Sequence, residues 1–204
     1  DTLSIQYSMP QWIVDRFVAA YGEKKAEEIF KAFHSKSTIS IRTNLTRCTP
    51  DELRAMLEAE GVTVTAVDEL NYAFVISGFD YLNGLQSFRD GLFYVQDISS
   101  MLVAQTAAPK KGDYVIDVCA APGGKSTHIA ELLQGSGHVL ARDLTDNKVD
   151  MIEENIERHG LNNMSAEVWD ATVPDADSAG KADILICDLP CSGLGVLGRK
   201  KDIR

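Results

Sequence analysis

The chain has 204 residues, 45% of them hydrophobic and 25% charged, with a formal net charge of -10. That length holds one medium domain or two small ones with real cores. The acidic balance argues against a protein that simply coats nucleic acid, and no apolar run approaches the roughly 20 residues needed to span a bilayer. Cys48, Cys119, Cys187 and Cys191 show no framework spacing, so reduced thiols in a cytoplasm are expected, with no membrane partner. The opening Asp1-Thr2-Leu3-Ser4 has no initiator Met, basic region or apolar core of a signal peptide, and reads as the interior of a longer polypeptide.

Residues 10–34 read as helical, with Trp12, Ile13, Phe17, Ala20, Ile29 and Phe33 as the apolar members and Gly22 as a break. Thr38–Asn44 alternates in the manner of a strand. Thr49-Pro50-Asp51-Glu52 carries a cap and a first-turn Pro, so a helix is expected from there to Glu60, stopped by Gly61. Val62–Val67 and Tyr72–Ile76 read as two further strands. This β-α-β-β series behind a helical lead-in predicts a small α+β module of the ferredoxin or RNA-recognition type over residues 1–92.

Tyr94–Ala107 reads as a strand end and a helix leading into a second region, 93–204. There, Tyr114–Val118, His138–Asp143, Ser165–Trp169 and Ala182–Asp188 are predicted strands, spaced by predicted helices at Gly124–Leu133 and Thr145–His159. Strands separated by helices predict a parallel sheet with helices on both faces. The expected fold class is therefore α/β, a Rossmann-like domain represented by its first four strands. Four strands are few for such a sheet, and the last is expected to be an open edge, with further strands downstream.

Asp117-Val118-Cys119-Ala120-Ala121-Pro122-Gly123-Gly124-Lys125-Ser126 joins a predicted strand to a predicted helix through small residues. Small residues let a ligand approach the backbone, and the free amides of a helix start suit a carboxylate or phosphate. The dinucleotide fingerprint is absent. A phosphate-binding Walker loop would need Gly where Cys119 stands. The remaining candidate is an adenosyl ligand bearing a carboxylate, as in S-adenosylmethionine, for which Cys119, Ala120, Ala121, Pro122, Gly123, Gly124 and Lys125 are the candidate contacts. Asp143, 20 residues beyond Gly123, is placed to accept from ribose hydroxyls, and Asp170 from an adenine amine. With Asp117 and Asp188 these acids are expected in register along the carboxyl edge of one sheet.

Asp188-Leu189-Pro190-Cys191-Ser192-Gly193 sets an acid, a rigid Pro and a thiol after the last predicted strand. Cytosine C5 becomes nucleophilic once a thiolate adds at C6, and Asp188 is suited to hold the N3/N4 edge of the ring. Taken alone, Cys191 reads more commonly as a small buried hydrophobe, the usual fate of a free Cys. Cys187 and Cys191 lack the second pair or histidine cluster of a zinc site, so no metal is expected.

Together, Cys119–Lys125 and Asp188–Gly193 closely resemble the RsmB/Sun (Fmu; Nol/Nop/Sun) family of RNA cytosine-5 methyltransferases. Ser40-Ile41-Arg42-Thr43-Asn44 is similar to the family's Arg-x-Asn strand, Gly91–Ser99 to the segment before its catalytic domain, Asn155–Gly160 to a helix end, and Gly198–Arg204 to its basic stretch. The lead-in Tyr7–Trp12 is similar to the bacterial 16S rRNA enzymes. The resemblance implies methyl transfer to C5 of a cytosine in RNA, with S-adenosylmethionine as cofactor and rRNA or a ribosomal precursor as partner. It also implies that Cys191 assists product release while the attacking thiol belongs to a later Thr-Cys pair. That pair does not occur in the sequence, so this chain alone is expected to bind the donor without turnover.

Residues 16–47 carry seven basic side chains against three acidic ones, and Arg199-Lys200-Lys201 forms a second cluster. Arg42, Arg199, Lys200 and Lys201 are the candidate phosphate contacts, although a solvated helix face accounts for the first patch equally well. Two other readings stay open: Cys191 itself as the nucleophile, and a non-catalytic RNA-binding module with a vestigial pocket.

Overall fold

The structure, a computed structural model, describes residues 2–34 and 38–198. The chain divides into two compact units, Asp1–Ser37 with Pro190–Arg204, and Thr38–Leu189. Among the described residues, no helix is long and apolar enough to cross a membrane.

In the smaller unit, α1 (Thr2–Gln6), α2 (Gln11–Tyr21) and α3 (Glu23–Phe33) follow one another. Gly22 adopts φ 78 between α2 and α3, a left-handed conformation that only glycine takes without strain. The buried stripe is Ile13 and Val14 on α2 with Ala26 and Phe30 on α3, joined by Leu3, Tyr7, Met9 and, from the C-terminal segment, Leu197. Trp12, expected among the packed apolar residues, is instead 56% exposed. The packed face of α2 is made by two i, i+4 rows, Ile13 with Phe17 and Val14 with Val18, and Trp12 lies outside both.

The larger unit begins with a four-stranded antiparallel sheet in the order β2-β3-β1-β4, formed by β1 (Ile39–Thr43), β2 (Thr63–Val67), β3 (Leu70–Ser77) and β4 (Phe93–Val95). Between β1 and β2 lies α4 (Pro50–Ala59), opened by a capping box in which Thr49 accepts from the Glu52 amide and Glu52 accepts from the Thr49 amide. Such a cap contributes about 1 kcal/mol. Ile41, Phe74, Ile76 and Phe93 face Leu53 and Leu57 of α4. The short α5 (Gln86–Arg89) precedes β4. β4 pairs with β1, so the boundary expected after residue 92 falls inside this sheet.

The opposite face of the same sheet, at Ala73 and Val75, meets Ile98 and Met101 of α6 (Ile98–Ala107). A parallel sheet follows, in the order β7-β6-β5-β8: β5 (Tyr114–Asp117), β6 (His138–Asp143), β7 (Met164–Val168) and β8 (Ile184–Ile186). Its helices are α7 (Gly124–Leu132) and α8 (Asp146–His159). Val115 is level with Val139 and Ile184, and Val139 with Met164. These residues share one face and one core with Ala104 of α6, Ile129 of α7 and Ile152 of α8. The described helices therefore cover one face of this sheet, not both. On the other face Leu185 remains 58% exposed. As expected, β8 lies at an edge.

The strand order sets the position of a ligand. β6 and β7 build outward from one side of β5, and β8 pairs with its other side. The loops after β5 and β8 consequently diverge from a topological switch point, where open α/β sheets hold their ligands.

Candidate functional site

The loop after β5 crosses the carboxyl edge of the sheet and enters α7. Asp117, only 1% exposed, accepts the Ser126 hydroxyl at 2.6 Å and the Cys119 amide at 3.4 Å, tying both ends of the loop together. Burial raises its carboxyl pKa, against the lowering effect of these two bonds. Asp143, at the end of β6, is 3% exposed. It accepts from the Ala121 amide at 3.0 Å, the Leu144 amide at 2.8 Å and Lys148 Nζ at 2.8 Å. Burial alone would raise its pKa, but Lys148 and the two amides outweigh that and leave it below the ordinary carboxylate value.

A cleft of about 160 Å³ opens beside this loop. Cys119, Ala120, Ala121, Pro122, Gly124 and Lys125 line it from one side, with Asp117 and Asp188. Tyr94, Gln96, Asp97 and Ser100 line it from β4 and α6. Whole-ligand pockets occupy roughly 300–1,000 Å³, so the cleft suits one end of a ligand whose remainder runs along the open edge. Gly123 stands at φ 103 as the N-cap of α7 and supplies no side-chain cap. The first-turn amides of α7 are thus left for another acceptor, and the helix dipole favours a carboxylate there. An uncapped helix start beside a cleft walled by small residues fits a ligand with a carboxylate and an adenosyl body.

Lys125 Nζ and Asp188 form an ion pair at 2.5 Å, with side chains 20% and 60% exposed. The pair borders both this cleft and a groove of about 520 Å³ between α6 and β8. Cys119 is the cleft's own thiol. Burial raises its pKa, and the nearby Asp143 and Asp117 raise it further, which keeps it protonated and poorly nucleophilic.

The expected residues do not all converge. Asp143 reaches the loop backbone but does not line the cleft, and Asp170 is turned away, with its carboxylate accepting from the Thr172 amide and hydroxyl at 2.9 and 2.7 Å. The four aspartates share the carboxyl edge but are staggered. Asp117 is level with Ala141 and Ile186, and Asp143 with Val168. Cys191 is exposed and belongs to the smaller unit. All four cysteines are free.

One expected RNA contact is overturned. Arg42 is 1% exposed and paired with Glu131 at 2.7 Å, so its guanidinium is already engaged and out of reach of a phosphate. It lies on the inward face of β1, which alternation alone could not assign because both faces of this strand are buried. Arg199, Lys200 and Lys201 lie outside the described residues. Tyr94, Gln96, Asp97 and Ser100 also line the cleft; the only sequence signal for the first three is the resemblance over Gly91–Ser99, and Ser100 lies just beyond it.

Comparison with known proteins gives concordant matches. The family model described as 16S rRNA methyltransferase RsmB/F matches residues 104–204, and the one described as an RsmF/B-like, ferredoxin-like domain matches residues 9–79. A probable ribosomal RNA small subunit methyltransferase B of Bacillus subtilis is 37% identical over 204 residues, covering 99% of this chain and 45% of that protein. A tRNA (cytosine(72)-C(5))-methyltransferase of Pyrococcus horikoshii is 44% identical over 116 residues, covering 56% of this chain and 29% of that protein. The crystal structure of PH0851 superposes with a TM-score of 0.93 at 28% identity, over 98% of this chain and 46% of that one. The chain thus spans less than half the length of the Bacillus relative it matches.

Proposed function

The chain belongs to the RsmB/F methyltransferase family, and from that premise we propose that it takes part in transferring a methyl group from S-adenosylmethionine to C5 of a cytosine in RNA, with 16S rRNA as the substrate. One observation carries the reading: the Cys119–Lys125 loop and Asp188 line the same cleft at the switch point of the parallel sheet. A methyl-donor loop and the acid that begins the Asp-Leu-Pro-Cys motif are thereby brought to one place.

The donor, when bound, supplies an electrophilic methyl group. The loop amides and the start of α7 hold its carboxylate, and Asp143 sets the loop that carries those amides. Asp188 receives the N3/N4 edge of the cytosine, with Lys125 beside it as its ion-pair partner until the ring arrives. Cytosine activation proceeds by thiolate addition at C6. C5 would then bond to the methyl carbon as the donor's S–CH3 bond breaks and S-adenosylhomocysteine leaves, the C5 proton would pass to a base, and the C6–S bond would break to restore the ring. In the family the attacking thiol belongs to a Thr-Cys pair, which does not occur in these 204 residues. The steps assigned to this chain's own groups are therefore donor binding, recognition of the base by Asp188, and product release assisted by Cys191.

The test is a calorimetric titration of the chain with S-adenosylhomocysteine, with ATP in parallel. Heat with S-adenosylhomocysteine alone is expected. Heat with ATP alone, or with neither ligand in a folded sample, would overturn the assignment of the loop.

A further inference from the structure

Arg42 sits at the centre of a buried polar cluster that the transfer chemistry leaves unexplained. Its Nη1 donates to Gln96 Oε1 at 2.5 Å and to the Gly124 carbonyl at 2.9 Å. Its Nη2 donates to Thr127 Oγ1 at 3.1 Å and to Glu131 Oε1 at 2.7 Å. Arg42 and Glu131 side chains are 1% and 2% exposed. Replacing a buried ion pair by apolar residues of similar volume is often neutral or stabilising, so stability alone does not account for charges here.

The cluster is directed at the cofactor loop. The Gly124 carbonyl accepts from Arg42, from Gln96 Nε2 at 3.1 Å and from Thr127 Oγ1 at 3.2 Å. Two residues earlier, the Pro122 carbonyl accepts from Tyr94 Oη at 3.1 Å. The fit leaves no slack, since a Cβ built on Gly124 would lie 3.1 Å from the Tyr94 ring and 3.6 Å from Gln96 Nε2. Arg42 and Tyr94 are register partners on β1 and β4, which places both on the same face of the antiparallel sheet. The Ala, Pro and Gly of this loop have no side chains long enough to fix its backbone. Asp117 and Asp143 hold its amides and the Ser126 hydroxyl, Asn155 shares the Pro122 carbonyl at 3.0 Å, and the neighbouring sheet supplies the grip on the Gly124 carbonyl.

We propose that Arg42, with Gln96 and Tyr94, is a positioning residue of the methyl-donor site, and that the first sheet holds the Pro122 and Gly124 carbonyls so that the loop amides are aimed before the donor arrives. This rests on the loop being the donor site. The first sheet is then a working part of donor binding. Fixing a binding loop in its bound conformation raises affinity without adding a contact to the ligand.

The decisive variant is the charge-balanced pair Arg42→Leu with Glu131→Leu, compared with the wild-type chain and with Leu57→Ala. Leu57 lies in the α4 core, away from the loop, and its truncation lowers stability without touching the clamp. Affinity for S-adenosylhomocysteine is measured by calorimetry, alongside unfolding in urea and amide exchange at residues 121–126. The paired variant is expected to keep cooperative unfolding, lose about tenfold in affinity, and exchange its loop amides faster. Leu57→Ala is expected to unfold earlier yet bind as the wild type does. Equal affinity in the paired variant and the wild type would overturn the clamp while leaving the donor site standing. No binding by the wild type would overturn both. If the paired variant does not fold, Tyr94→Phe and Gln96→Met carry the same test, and unchanged affinity in both would overturn the proposal.

Discussion

The Asp143 carboxylate accepts the Ala121 amide at 3.0 Å, so the end of one strand holds the middle of the loop that follows its neighbour. The same carboxylate binds Lys148 at 2.8 Å. Asp143→Ala removes both ties and is expected to lower affinity for S-adenosylhomocysteine by about tenfold or more. The sign of its pH dependence follows from a pKa held below the ordinary carboxylate value. Its stabilisation is fully present above about pH 4 and is lost as pH falls through the folded-state value. Calorimetry at pH 7 and acid titration of the wild type and variant check the two halves.

Asp188 separates function from stability. Its side chain is 60% exposed, and an ion pair in that setting contributes at most about 1 kcal/mol. Asp188→Asn is expected to leave the urea midpoint almost unchanged while abolishing methylation of 16S rRNA by an active enzyme that carries this segment. A variant that unfolds much earlier would show instead that the Lys125–Asp188 pair is a structural tie.

Two buried histidines predict a loss of stability on mild acidification. Burial, followed by Arg42, lowers the His128 pKa from 6.5 to about 2. Burial is also the largest cause for His159, with Arg158 and Arg42 adding to it against the Asn155 carbonyl, and leaves its pKa at about 4. Below pH 6.5 the unfolded chain takes up protons that the folded one refuses, so stability falls with pH, for His159 down to about 4 and for His128 further still. Each contributes a slope approaching ~1.4 kcal/mol per pH unit within its window. His128→Phe keeps a ring against Tyr72, whose centroid is 5.2 Å away, and is expected to roughly halve the slope between pH 6.5 and 5. Urea unfolding across that range decides it, and an unchanged slope would clear His128 of the effect.

Two glycines with the same backbone sign should respond very differently to alanine. A Cβ on Gly91, at φ +66, would lie 2.0 Å from the Arg158 carbonyl oxygen of α8. Gly135, at φ +74, has nothing within 4 Å. Gly135→Ala is expected to cost about 1 kcal/mol from left-handed strain. Gly91→Ala adds a backbone collision and is expected to cost about 3 kcal/mol or more. Similar losses in the two unfolding curves would mean that the approach of α8 to residue 91 is looser than described.

Periodicity places the longer helices and the strands to within about two residues, whereas the short α1 and α5 carry no such signal. His138–Asp143 is legible at its full extent, and Gly22, Pro50 and Gly61 mark the breaks where the structure has them. These signals are local. A cap, a breaker or an alternation acts within a few residues and needs no partner. The Cys119–Lys125 and Asp188–Gly193 motifs are legible for the same reason, as contiguous strings whose chemistry is carried by neighbours in sequence.

The sequence by itself determined the order of elements, the glycine-rich loop and the residue types available to it. Tertiary structure decided which acids face the cleft, which surface is covered and what Arg42 does. Asp170 and Asp188 follow their strands alike, yet one satisfies itself on Thr172 and the other borders the cleft, because β8 pairs with β5 while β7 lies at the far edge. In a strand pattern Arg42 has the look of a phosphate ligand. Its partners stand 54, 82, 85 and 89 residues away, and contacts at that separation are set by how sheets and helices pack, which no local pattern encodes.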